Sequence, residues 1–546
     1  MGLLSFAMTI AVGMCFCIGG NDSANSWGSS VGSGAVPLKV AVLLGGFAEW
    51  LGATLLGYGV SGTIRKGVAK MDDPRCWACG YCDSAMPVYQ LGMLAALIGA
   101  TFFLLIATFA KLPVSTTHAI VGGVVGMTMV GAPGGSACLN WAWPKGLSAI
   151  VASWVISPLL SGAIGVCVYQ ITSALTTKTK APVANALRLL PWMYCCATTV
   201  MVYLILVKSK PTKHLPVANQ VLPSFVVGLV ALVVVYTVVV PRVKRDVEAL
   251  TCLPDGDDGS AVRTSRSLRY IAKGVGSTTT QVQPTPMAAL DSAQENASDT
   301  PASDTPASAA ATDDDTNGVE LHEANGQQEV RKAAALAIGG RGAPPPGSAD
   351  ELERLRAVHV FRYLLVFVAF LESFGHGAND TANSTAAFGA VYDAYALGHF
   401  ACSSSGTPWW IMSLAGLCVF FGVTTMGYRV IQTIGKDLTA IDYQLGFAIE
   451  FSSTATVVIA TVLGLPVSST HCQVGSVVFT GFVAHNGGSG ASGGKGAGGV
   501  QWRLFGKIAI SWVLTLPFAG GLAALLTVAF RAGLASHLAY DPVPTK

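Results

Sequence analysis

Two copies of one polar cluster interrupt an otherwise apolar chain: Asn21-Asp22-Ser23-Ala24-Asn25-Ser26 and Asn379-Asp380-Thr381-Ala382-Asn383-Ser384. Each closes an apolar run, so its aspartate falls at membrane depth. A carboxylate there costs about 2.5–3.5 kcal/mol on insertion scales and faces a partner or a wet cavity. Asn and Ser add neutral oxygens, the ligand type that suits a hard cation. Asn21, Asp22, Asn25, Asn379, Asp380 and Asn383 are therefore the candidate cation-binding residues. Small residues follow each copy, Gly28, Gly32 and Gly34 in one and Ala386, Ala387 and Gly389 in the other. They predict a helix that unwinds to offer backbone carbonyls to an ion. Helix capping by Asn and Asp is the competing account, and the duplication weighs against it.

A second motif is also present twice, as Pro113-Val114-Ser115-Thr116-Thr117-His118 and Pro466-Val467-Ser468-Ser469-Thr470-His471. Pro fits the first turn of a helix, so each motif is expected to start one. Such a start presents free N–H groups, a positive dipole end and three hydroxyls, which bind a tetrahedral oxyanion such as phosphate without Lys or Arg. Ser115, Thr116, Thr117, Ser468, Ser469 and Thr470 are the candidate anion ligands; the competing account is back-bonding of these hydroxyls to their own helix. His118 and His471 stand either as structural hydrogen-bonding groups or as proton carriers. The four motifs hold no Lys or Arg. Two buried carboxylates and an oxyanion cannot share a dry pocket unless a cation, Na+ or H+, enters with them. Glu49 and Glu450 are candidate coupling carboxylates, which either titrate, bind a cation or hydrogen-bond to a neighbouring helix. Glu372, eight residues before Asp380, has no acidic counterpart in the first half.

The elements that hold these residues must be membrane helices. Of 546 residues 51% are hydrophobic and 12% charged, against roughly 25% charged in a soluble domain. Charge-poor runs at 3–18, 88–110, 225–240, 411–427 and 508–530 approach the roughly 17–25 residues that cross a bilayer. A net charge of +3 is too small to imply nucleic acid. The expected fold is an all-α polytopic membrane protein of about twelve transmembrane helices, with re-entrant or broken helices at the Pro-Val-Ser-x-Thr-His motifs.

Beyond the two motif pairs, Thr63-Ile64 is answered by Thr433-Ile434, Tyr89-Gln90-Leu91-Gly92 by Tyr443-Gln444-Leu445-Gly446, and Ser153-Trp154 by Ser511-Trp512, all in the same order. This is an internal duplication, a common build of secondary transporters. The expected units are a first repeat at 1–171, extra transmembrane helices at 172–245, a disordered Ser/Pro-rich acidic loop at 246–354 and a second repeat at 355–546. Basic residues on both sides of that loop, Arg242, Lys244, Arg245, Arg354 and Arg356, favour a cytoplasmic loop. Arg65, Lys66, Lys70 and Arg75 would then lie outside, against the rule. Cys76, Cys79 and Cys82 form a run in a polar connection, open to one disulfide with a spare thiol, a metal site or no special role.

Gly-x-Asn-Asp-x-Ala-Asn-Ser and Pro-Val-Ser-x-Thr-His, each present twice, resemble the inorganic phosphate transporter (PiT) family of sodium–phosphate symporters and phosphate permeases. The resemblance covers both membrane halves. It implies two inverted repeats with phosphate between them, Na+ alongside at Asp22, Asn25, Asp380 and Asn383, phosphate on the two hydroxyl triplets, and Glu49 and Glu450 as functionally sensitive carboxylates. Gly20, where Ala is usual, and Trp27 are small departures. The expected function is Na+- or H+-coupled symport of inorganic phosphate. A transporter of sulfate or another oxyanion, and a phosphate sensor signalling through the loop, are the alternatives. No nucleophile–base set argues for an enzyme, and no cofactor is expected beyond the co-transported ion. The expected partners are phosphate, the ion, the lipid bilayer and a second copy in a homodimer; the expected location is the plasma membrane, or else an organellar one.

Overall fold

A computed structural model describes residues 1–57, 67–71, 73–78, 85–143, 146–209, 212–250, 349–397, 407–462, 467–486 and 499–533. Among them the chain is helical, with only isolated β-bridges. Helices α1 (Gly2–Gly32), α2 (Leu38–Leu56), α3 (Met86–Phe109), α4 (Thr116–Gly131), α5 (Leu147–Leu175), α6 (Pro182–Lys208), α7 (Val217–Val234) and α8 (Val240–Glu248) make the first half. The second half holds α9 (Ala349–Val360), α10 (Arg362–Asn379), α11 (Thr381–Leu397), α12 (Trp409–Met426), α13 (Tyr428–Gln432), α14 (Tyr443–Val462), α15 (Ser469–Asn486) and α16 (Trp502–Gly533). Nine helical stretches of the described residues are long and apolar enough to cross a membrane. The protein is thus a multi-pass integral membrane protein.

Burial sorts these stretches. The most apolar window of α3 is 78% buried, whereas that of the α7–α8 stretch is 17% buried. The valine-rich α7 therefore offers Val217, Leu222, Val230 and Val233 to the surroundings, and α3 is packed inside. α3 and α4 run antiparallel: Gly92 lies on Met127 and Gly123 on Ala96. At 1.5 Å per residue α4 rises only about 24 Å, less than the roughly 30 Å of a hydrocarbon core. α14 and α15 form a similar pair, with Glu450 beside Gln473 and Ser452 beside Ser476.

Each of these pairs packs on the long helix of the opposite half. α4 meets α16 through Gly122 on Leu516 and Gly126 on Gly520; α15 meets α5 through Gly475 on Pro158 and Gly162 on Phe479. A Cβ at Gly126 would occupy the backbone of Gly520, so only Gly permits this approach. Equivalent bridges, Ala69 to Leu139 and Thr439 to Val500, tie the connections at corresponding points of the two halves.

Three expectations need correction. α1 does not unwind at 21–26: it is one helix from Gly2 to Gly32. Its glycines are used for contact, Gly19 on Val419, Gly28 on Ile434 and Gly32 on Gly435, and close helix approach needs small residues, not a broken helix. Only the second copy is interrupted, at Asp380 between α10 and α11. Pro113 is not in the first turn of α4, because Ser115 is its N-cap; Pro466 lies outside the described residues. Cys76 pairs with Cys138, 62 residues away, at a Cα–Cα distance of 5.4 Å, so the run does not close on itself through Cys76. Cys79, Cys82, Thr63, Lys66 and the 251–348 part of the central loop also lie outside the described residues.

Candidate functional site

The two polar clusters and the two hydroxyl-rich helix starts meet in one buried place. Asn25 donates from Nδ2 to Thr470 Oγ1 at 3.0 Å and to Asp22 Oδ1 at 3.3 Å. Asn383 donates from Nδ2 to Thr116 Oγ1 at 2.9 Å and to Thr117 Oγ1 at 3.2 Å. Because Asn25 corresponds to Asn383 and Thr470 to Thr117, the two asparagines make the same bond in reverse: each reaches into the other half. Ser469 donates to Asp380 Oδ2 at 2.9 Å, and Thr470 Oγ1 lies 3.5 Å from Asp22 Oδ1. Asp22 and Asp380 stand close enough to repel one another, and Thr116 reaches Asp22. Asp22 Oδ2 and Asn25 Oδ1 are buried and make no hydrogen bond of normal geometry.

The flanking residues of these motifs brace the pocket. Asn21 donates to Thr108 Oγ1 at 3.2 Å and to the Leu112 carbonyl at 3.0 Å, and its Oδ1 accepts from the Val114 N–H at 2.9 Å. Its carboxamide thus ties α1 to the turn before α4. Ser115 Oγ accepts from the His118 N–H at 3.2 Å and Ser468 Oγ from the His471 N–H at 3.4 Å, so the first hydroxyl of each triplet caps its helix. Asn379 is half-buried at the end of α10.

Glu49 and Glu450 occupy different places. Glu49, on α2, is buried and feels the charges of Asp22 and Asp380, with its Oε1 meeting no donor. Glu450 accepts from Gln473 Nε2 at 3.2 Å and lies against Glu372. Among the described side chains no Lys or Arg is buried, so none of those cations stands in the pocket of Asp22, Asp380 and Glu49. His118 and His471 touch edge to face at 4.4 Å between ring centroids, with Trp154 against the first and Trp512 against the second. The ring nitrogens of His118 meet no hydrogen-bond partner among the described residues. A cavity of about 520 Å³ bordered by Tyr194, Arg242, Asp246 and Tyr363 lies between the middle of α6, α8 and the start of α10, apart from these motifs.

A hard oxygen-rich pocket of this kind can hold cations beside an oxyanion, since three acidic groups without Lys or Arg need mobile positive charge. The pattern of the family described as the phosphate transporter family matches residues 18–523. The chain belongs to that family. It is 26% identical to sodium-dependent phosphate transporter 1 of Mus musculus, over 97% of this chain and 95% of the mouse protein. It is 28% identical to a Pyrococcus furiosus protein named as a phosphate permease, over 96% and 95% of the two chains. A solved structure titled "The sodium-dependent phosphate transporter" is 26% identical, covers 98% of this chain and 100% of its own, and superposes with a TM-score of 0.67.

Side chains that the motifs did not reveal also belong to the transporter's core. Gln473 holds Glu450, and Trp27 donates from Nε1 to Ser373 Oγ at 2.7 Å, joining α1 to α10. An amide two residues beyond His471 on an apolar helix was the available signal for Gln473.

Proposed function

We propose that the transporter carries inorganic phosphate together with Na+, and that both bind in the pocket shared by Asp22, Asn25, Asp380, Asn383 and the α4 and α15 starts. The observation that carries this reading is the reciprocal pair of asparagine bonds across the halves, in a pocket with three carboxylates and, among the described side chains, no buried Lys or Arg. Thr116, Thr117, Ser469 and Thr470 hold phosphate in this reading, with Ser115 and Ser468 shaping the helix starts. Asp22 and Asp380 hold Na+, with Asn25 and Asn383 setting their distance from the hydroxyls. Each ligand then lowers the electrostatic cost of the other, which is symport in thermodynamic form. The relatives named for sodium dependence favour Na+ over H+.

In the same reading the α3–α4 and α14–α15 pairs are re-entrant hairpins, and eight crossings plus four hairpin arms make the twelve helices. α1, α2, the first hairpin and α5 form one repeat; α10–α11, α12, the second hairpin and α16 form the other, inverted. Disulfides persist on the oxidising side of a membrane, so Cys76 and Cys138 mark the outer face, which puts the central loop inside.

Proteoliposomes containing the purified chain test the proposal with labelled phosphate and an imposed Na+ or proton gradient. Uptake should follow the inward Na+ gradient, and Asp22→Asn and Asp380→Asn should each weaken uptake and Na+ dependence together. Normal coupled transport in both variants would remove the site assignment, and uptake driven by the proton gradient alone would replace Na+ by H+.

A further inference from the structure

The cavity between α6, α8 and the start of α10 has no part in the transport pocket. It measures about 520 Å³, within the roughly 300–1,000 Å³ of small-ligand sites. Tyr194 of α6, Tyr363 of α10, and Val239, Arg242, Arg245 and Asp246 of the α7–α8 stretch border it. A π-helical turn at Val235–Val239 separates α7 from α8, and such single turns recur at functional sites. From its end, Val239, Arg242 and Asp246 follow in steps of three and four residues, so one face of the helix looks into the cavity.

The two arginines are only lightly engaged. Arg242 donates from Nη1 to the Val238 carbonyl at 2.8 Å, and Arg245 from Nε to the Pro241 carbonyl at 3.3 Å. Each bond anchors a guanidinium to its own helix and leaves most of its five N–H donors to other partners. Among the described residues neither has a carboxylate partner. Lys244, between them, pairs with Glu248 at 3.8 Å and does not border the cavity. Asp246 does border it, but its Oδ2 accepts from the Tyr363 hydroxyl at 2.7 Å. A third guanidinium, that of Arg362, stands 5.6 Å from the Tyr363 ring centre. Positive charge is therefore in excess around the cavity.

Position decides which anion fits. The cavity lies at the end of the Val217–Glu248 stretch, whose apolar window is only 17% buried, next to exposed Val234, Tyr236 and Val238. Arginines at the end of a bilayer-facing apolar helix stand at the level of lipid headgroups. A free inorganic anion would gain nothing from the valines beside them, whereas acyl chains bury against such a surface. Two arginines one turn apart suit a phosphomonoester, with up to two charges and three acceptor oxygens, better than the singly charged diester common to phospholipids. In the proposed topology this is the inner leaflet, whose surface is negative. α6 and α7 belong to the part of the chain that the duplication leaves over. The cavity thus sits where those extra helices meet α10, the helix that Asp380 caps.

We propose that this cavity binds an anionic phospholipid whose headgroup carries a phosphomonoester, held by Arg242 and Arg245 with its chains along the valine face of α7. The site is separate from the Na+ and phosphate pocket and does not depend on the proposed transport function.

Fluorescence anisotropy tests the proposal on the full chain in phosphatidylcholine nanodiscs, with labelled dioctanoyl phosphatidylinositol 4-phosphate as probe and empty nanodiscs as blank. Wild type should bind the probe saturably. Arg242→Gln should weaken binding about tenfold or more, as the loss of a charge-assisted contact implies. Should that variant fail to give a monodisperse protein, Arg245→Gln is the second, with the same expected loss. Lys244→Gln removes an equal charge outside the cavity and should weaken binding less than about threefold. Equal losses in Arg242→Gln and Lys244→Gln would mean general surface attraction and overturn the site. So would absence of saturable binding by wild type, including the case in which the chain's own acidic central loop fills the cavity. Unlabelled competitors identify the source. Inorganic phosphate, inositol phosphate without chains, and dioctanoyl phosphatidylinositol, which lacks the monoester, should each need about tenfold more than the unlabelled probe lipid to displace it. Displacement by either soluble anion at the probe lipid's concentration overturns the lipid assignment, and displacement by the diester lipid at that concentration overturns the monoester.

Discussion

Replacing Asn383 by Ala removes the bonds to Thr116 at 2.9 Å and Thr117 at 3.2 Å and leaves both hydroxyls to be positioned by phosphate itself. Each neutral hydrogen bond contributes about 0.5–1.5 kcal/mol net, so the pair is worth about 1–3 kcal/mol. Expressed as affinity, the half-saturating phosphate concentration should rise about 5- to 150-fold. Uptake of labelled phosphate into proteoliposomes at fixed, saturating Na+ gives that concentration directly. A double-mutant cycle separates the bond from general damage. Asn383→Ala combined with Thr117→Val should couple by about 1 kcal/mol, since the two residues share one bond. Thr128 is the control: it is eleven residues along α4 from Thr117, about 16 Å of helix rise, and bonds only within its own helix and its neighbour Met127. Asn383→Ala with Thr128→Val should add within about 0.5 kcal/mol. The Asn25 and Thr470 pair should reproduce the coupling, because it is the same bond in the opposite half. Additive behaviour of Asn383 and Thr117, or a half-saturating concentration moved less than twofold by Asn383→Ala, would refute the idea that these ties preorganise the pocket.

Gly126→Val should lower the thermal midpoint of the purified protein, since overpacking costs about 1–3 kcal/mol and the new Cβ meets the Gly520 backbone; Gly506→Val, where nothing lies within 4 Å, should not. Peptide mapping without reductant should recover Cys76 linked to Cys138, and an impermeant reductant added outside the cell should release the pair. The sequon Asn296-Ala297-Ser298 should remain without a glycan in a glycosylating host, as an inner position for the central loop demands; a glycan there would invert the proposed topology.

The duplication and its four polar motifs were legible in the sequence, because Asp and Asn at membrane depth have few uses other than binding or pairing. Their meeting place was legible too, through the missing Lys and Arg. Which half supplies the partner was not: a motif carries no record of whether Asn25 will meet Thr117 of its own half or Thr470 of the other. The glycines after Asp22 misled for a physical reason. Gly serves both an unwound turn and a tight helix contact, and in α1 the bulk of Ile434 and the backbone of Gly435 decide for contact. The tie of the Asn21 carboxamide to the Leu112–Val114 turn was not legible either, because the turn lies about 90 residues away. Cys138 could not be paired in advance, being separated from Cys76 by two whole helices.

The exchange of partners between halves has a bearing on how the chain is made. Thr470 is synthesised 448 residues after Asp22, a delay of about 20–90 s at about 5–20 residues per second. During that interval α1 sits in lipid with an aspartate whose partners from the second half, Thr470 and Asp380, do not yet exist. Nascent chains must therefore hold a half-built, acid-bearing bundle in the membrane until the closing hairpin arrives, and that waiting period is when a weakened variant is most exposed to degradation.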